Sequence, residues 1–279
     1  MAYTSFLCVL SDFEHGKAAL DQAIALAGEE DAHLEVLCLG VDMTQTTSYY
    51  AGANAVILQE TITRTLEEAD ALRARVEDRL EAETVVWSTA QAVAALADLG
   101  RHIAARARFA DLVVLPHPYG GNAGPEQEII VESCMFEGKV PVLVVPENGT
   151  ASLAGRNVVI GWNESAEAMT SVRFALPVLK RAGKVCITVI DPPAHSPNRS
   201  DPGGLLSQFL SRHGIHAEIA VLSKTLPRVS DVLARHVEDT NADMLVMGAY
   251  GHSRLREAIF GGATRDLLAN AKVPVFLAH

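Results

Sequence analysis

The chain repeats itself at about half its length, and this restricts it to folds that one unit of roughly 140 residues can adopt twice. Each half opens with a short apolar run, SFLCVLSD at 5–12 and NVVIGWNE at 157–164. Each closes on a shared core, KVPVLVVP at 139–146 and KVPVFLAH at 272–279. Just upstream of the closing segments stand ADLVVLP (110–116) and ADMLVMG (242–248), again matched in place and type. The polar segment at 147–156, ENGTASLAGR, has no apolar period and reads as a linker, so the expected domains are 1–147 and 156–279.

Between the matched ends the pattern alternates. Helical periodicity over 18–30 and 169–183 follows the first strands, and second strands are predicted at 33–42 and 184–191. Third strands are expected at 83–90 and 216–223, with helices near 91–109 and 228–241 after them. The connection after the second strand is long in the first half, helical from about Val56, and short in the second. Strands alternating with helices imply right-handed crossovers and a mainly parallel sheet covered on both faces, an α/β fold. The continuous Val, Leu and Ile runs fit strands buried on both sides.

Net charge excludes several partner classes. With 34 acidic against 23 basic residues, a formal charge of -11, the surface is poorly suited to nucleic acid or an anionic membrane. No apolar stretch reaches the ~18 residues of a membrane span and no leader pattern opens the chain, so a cytoplasmic location is expected. Cys8, Cys38, Cys134 and Cys186 lie in apolar segments without a C-x-x-C spacing. His213 and His216 have no third ligand at a recognisable spacing, and no metal site is expected. No G-x-S-x-G elbow, H-E-x-x-H or Walker-type loop is present, so no catalytic residue is assigned.

Chemistry concentrates after the fourth strand of the second half. Gly248-Ala-Tyr-Gly251 is followed by nine residues and then by Gly261-Gly262-Ala263-Thr264. A strand that ends in glycines and leads into a helix offers free N–H groups and a positive dipole end to a phosphate. The same glycines also suit turns and close helix packing. In open α/β sheets ligands lie beyond the carboxyl ends of the strands where strand order reverses, which would bring this cluster opposite Gly161, Trp162 and Asn163.

The G-x-x-G-x9-G spacing, set between ADMLVMG and KVPV, resembles the nucleotide-binding motif of the universal stress protein family. The order of elements along nearly the whole chain resembles two such domains in tandem. The resemblance implies two Rossmann-like domains of the adenine nucleotide alpha hydrolase type, each a five-stranded parallel sheet in order 3-2-1-4-5 flanked by helices. It puts Gly248, Gly251, Gly261, Gly262, Ala263 and Thr264 around the phosphates of ATP or another adenine nucleotide. It also places Val189 against the adenine through its backbone, with Met247, Trp162 and Asn163 beside the ligand. Members that bind ATP usually carry Asp at the position of Asn163 and Ser or Thr at that of Gly262. Asn brings no charge to a Mg²⁺ ion, so metal dependence should be weakened.

In the first half, Pro116 and Tyr119 replace the first two glycines, and Glu128 and Ile129 fall opposite Gly261 and Gly262. Proline lacks the amide donor and a carboxylate repels phosphate, so this half should hold no nucleotide. The family arrangement further implies that the closing strands pair antiparallel, making the chain its own pseudo-dimer and leaving a further homodimer open. The function so implied is a stress-response regulatory module with an unidentified protein partner. Its rivals are a nucleotide-independent interaction protein and a slow ATP hydrolase.

Overall fold

The computed structural model describes residues 3–43, 54–120, 123–147, 156–192, 200–249 and 263–279. The first half runs β1 (Ser5–Leu10), α1 (Phe13–Glu30), β2 (His33–Asp42), α2 (Asn54–Leu80), β3 (Val86–Ala95), α3 (Leu99–Ala107), β4 (Leu112–Pro116), α4 (Pro125–Phe136) and β5 (Val142–Val145). The second runs β6 (Asn157–Gly161), α5 (Ala166–Phe174), α6 (Leu176–Arg181), β7 (Lys184–Ile190), α7 (Gly204–Arg212), β8 (Ala217–Leu222), α8 (Val229–Asp239), β9 (Met244–Gly248), α9 (Ala263–Asn270) and β10 (Val275–Ala278).

The ten strands of the described residues join one sheet in the order β3-β2-β1-β4-β5-β10-β9-β6-β7-β8. Each half therefore has the order 3-2-1-4-5, parallel throughout. The halves join antiparallel, with Val275 opposite Val144, Phe276 opposite Leu143 and Leu277 opposite Val142. Strand alternation sends Phe6, Cys8 and Leu10 of β1 to one apolar layer and Leu7 and Val9 to the other, and the helices cover both. Side chains also cross the seam. The Tyr3 hydroxyl donates to the Phe174 carbonyl at 2.6 Å, Arg181 pairs with Glu30, and the Arg265 guanidinium lies 5.2 Å from the Tyr119 ring centre.

Three elements differ from the sequence reading. Helix α1 begins at Phe13 rather than 18, because Asp12 caps it by accepting from the His15 N–H at 2.7 Å. The predicted helix 169–183 is two helices divided at Ala175, two residues before Pro177, where the chain resists continuing the first. Strand β3 extends through Ala95 instead of ending at Ala90. Its Ala-rich end favours helix locally, yet Gln91 to Ala95 pair in register with Cys38 to Asp42, and pairing overrides propensity.

The longer insertion of the first half becomes α2, whose Ala69, Leu72, Val76 and Leu80 are buried. In the second half the nine-residue α7 fills that role, and β8 leaves Ile219 and Val221 exposed.

Candidate functional site

The carboxyl ends of β6, β7 and β9 converge where strand order reverses, and a cleft of about 130 Å³ opens there against α8 and α9. Gly161, Trp162 and Asn163 border it from the end of β6, and Met247 and Gly248 from the end of β9. Ile190, Leu233 and Leu267 supply apolar walls, while Thr188 and Ser230 bring hydroxyls. A Cβ on Gly161 would stand 3.1 Å from Leu233 Cδ2, so the bare backbone there keeps the cleft open.

The residues expected around a ligand fall into four groups. Trp162, Asn163, Met247 and Gly248 line the cleft together. Thr264 is 3% exposed in the first turn of α9, which Ala263 opens, and does not line the cleft, which the same helix borders through Leu267. Gly251, Gly261 and Gly262 lie outside the described residues. Val189 points its side chain into the opposite apolar layer and pairs with Val221 of β8, while its neighbours Thr188 and Ile190 line the cleft. Sequence reasoning passed over Thr188, Ser230, Leu233 and Leu267; only the alternation of β7 around Val189 signals one of them, Thr188.

Local turns fix the β6 end. Asn163 accepts from the Ser165 N–H at 3.1 Å, Glu164 takes a left-handed φ of 62°, and Ser165 then caps α5 by accepting from the Ala168 N–H at 3.1 Å. Helix α5 approaches so closely that a Cβ on Gly248 would collide with the Ala168 nitrogen and stand 2.7 Å from the Glu167 carbonyl carbon. Packing alone requires glycine at 248, whatever the cleft holds.

Beneath the cleft, Cys186 Sγ lies 3.8 Å from His236 Nε2 of α8, and burial holds the His236 imidazole below its ordinary range. Burial likewise pushes the Cys38 thiol up to about 12 and raises those of Cys8 and Cys134 further. Those three thiols stay protonated near neutrality and are poor nucleophiles.

At the matching place in the first half, buried polar side chains bond to the end of β1. Pro125 opens α4, and the next residue, Glu126, is buried with its carboxylate accepting from the Ser11 hydroxyl at 3.0 Å. Gln127 donates to Ser11 Oγ at 2.8 Å, and His15 Nε2 lies 2.9 Å from the His117 carbonyl oxygen. A carboxylate in the first turn of a helix suits the positive dipole end, as a phosphate would. The residue singled out by alignment, Glu128, instead accepts from the Tyr119 hydroxyl at 3.0 Å.

Comparison with known proteins bears on both halves. Residues 155–279 match the model of the universal stress protein family. A universal stress protein of Synechocystis is 32% identical over 72 residues, which is 26% of this chain and 24% of that protein, so the match spans about a quarter of the relative. Among solved structures, a universal stress protein from Archaeoglobus fulgidus superposes with a TM-score of 0.73 at 15% identity, covering 98% of this chain and 95% of that one. A putative universal stress protein from Pseudomonas aeruginosa gives 0.58 at 17% identity, covering 99% and 93%. At these identities the structures establish the shared fold over both halves.

Proposed function

The chain belongs to the universal stress protein family through its second half, residues 155–279, and on that premise we propose that it is a regulatory module binding one adenine nucleotide at the β6–β7–β9 cleft. Its two domains are then 1–147 and 156–279, with a ligand site in the second alone. One contrast carries this reading: the strand ends of the second half leave a cleft, and those of the first are closed over by Glu126 and Gln127. The cleft has the mixture that small-molecule sites use, apolar walls with a few converging polar groups. Its apolar part, between Ile190, Leu233 and Leu267, takes the base, and the phosphates extend toward the start of α9.

Asn163 then serves a sugar hydroxyl better than a metal, because its amide is neutral and already engaged with Ser165. The ligand would bias the arrangement of the two halves through α9, which touches the first half at Tyr119 through Arg265. A cytoplasmic stress-response role is part of the same proposal, supported by the family match alone.

Mass spectrometry of small molecules released from freshly purified protein tests the ligand. An adenine nucleotide in near-stoichiometric amount is the expected result. Protein that yields none, and does not take up ATP, ADP or AMP at millimolar concentration, contradicts the proposal and favours an interaction role independent of nucleotide.

A further inference from the structure

Ser230 is 4% exposed, and its Oγ has no hydrogen-bond partner among the described groups although it lines the cleft. A buried hydroxyl without a partner is unfavourable, and such groups in native proteins usually await water or a ligand. The other polar groups of the cleft have neighbours: Asn163 accepts from Ser165, and the Thr188 hydroxyl is 3.7 Å from Cys186 Sγ. Ser230 also belongs to the first turn of α8, whose N-cap, Arg228, is extended and makes no side-chain cap bond. The Arg228 guanidinium is directed instead to Asp266 of α9, at 2.9 Å.

An uncapped helix start beside a buried hydroxyl is a cluster of donors with a partial positive charge. It favours a ligand edge that presents acceptors. The walls beside it, Ile190, Leu233 and Met247, are apolar and suit a planar ring.

From this geometry we propose that Ser230 and the start of α8 choose the base, the hydroxyl donating to N1 of adenine. Guanine presents N1–H and the N2 amino group on the corresponding edge; the hydroxyl can turn to accept one of them, but the free N–H groups of the first turn of α8 cannot, so donor is set against donor there and guanine is disfavoured. This assignment rests on the nucleotide reading of the cleft and adds the residue that sets its selectivity.

The test is calorimetric titration of the full chain with ATP and with GTP, for the wild type, Ser230→Ala and Ser230→Thr. The wild type should prefer ATP by about tenfold or more, as expected where a buried donor is left unpaired by the wrong ligand. Ser230→Ala should weaken ATP by about three- to tenfold with GTP unchanged, and Ser230→Thr should retain the preference. The thermal midpoint of ligand-free Ser230→Ala should be unchanged or raised, since the hydroxyl loses no partner. Equal affinity of the wild type for the two nucleotides, or an ATP-to-GTP ratio untouched by Ser230→Ala, overturns the assignment while leaving the nucleotide reading intact. A wild-type chain that binds neither nucleotide overturns both.

Discussion

Two glycines at the strand ends that read alike in sequence have different physical duties. A Cβ on Gly248 meets the backbone of Ala168 and Glu167, which cannot rotate away, whereas one on Gly161 meets the flexible end of Leu233. Gly248→Ala should therefore displace the start of α5 and cost about 1–3 kcal/mol of stability, read by denaturant unfolding. Gly161→Val should leave the unfolding midpoint nearly unchanged but fill the cleft and lower nucleotide affinity by more than about tenfold. The motif thus pointed to a strand end that borders the cleft while hiding why glycine is required at 248. Ser230 was not legible at all, because nothing local separates a serine with a buried orphan hydroxyl from one facing water. His236 offers a pH test at the same scale. Its folded-state pKa is lowered by burial, so the unfolded chain takes up the proton first. The associated stability is complete above the ordinary imidazole value, near pH 6.5, and is lost as pH falls below it. Denaturant melts at pH 7.5 and 5.5 should show that loss, and His236→Gln should reduce it.

At the scale of elements, the regular pieces were readable because their burial patterns are strong. The ends were not. Nothing in Gln91 to Ala95 announces a strand until the chain is laid beside Cys38 to Asp42, and nothing in α4 shows that Glu126, rather than Glu128, turns back to Ser11. Pro125 after Gly124 was a usable signal for the helix start, from which the first-turn position of Glu126 follows. The most consequential single element is β10, which joins the halves. Phe276 is fully buried there opposite Leu143, and Phe276→Ala should cost about 3–5 kcal/mol, more than most substitutions of this size at a sheet edge. A loss below about 1 kcal/mol in denaturant unfolding would mean that the seam contributes little.

On the scale of the whole molecule, the repeat in the sequence becomes one continuous sheet with a seam of approximate twofold character. The halves differ in two places. The first carries a 27-residue helix, α2, over β2 and β3, and at its strand ends Ser11, Glu126 and Gln127 bond to one another. The second kept a thinner cover and an open cleft lined by Gly161, Ser230 and Met247. If the second half alone takes a nucleotide, the stoichiometry is fixed. Calorimetric titration of the intact chain with ATP should return one site per chain, and that site should vanish in Gly161→Val. A stoichiometry of two would show that the carboxylate of Glu126 does not close the first half, and the absence of any heat or saturable binding at millimolar ATP would show that the second-half cleft is not a nucleotide site.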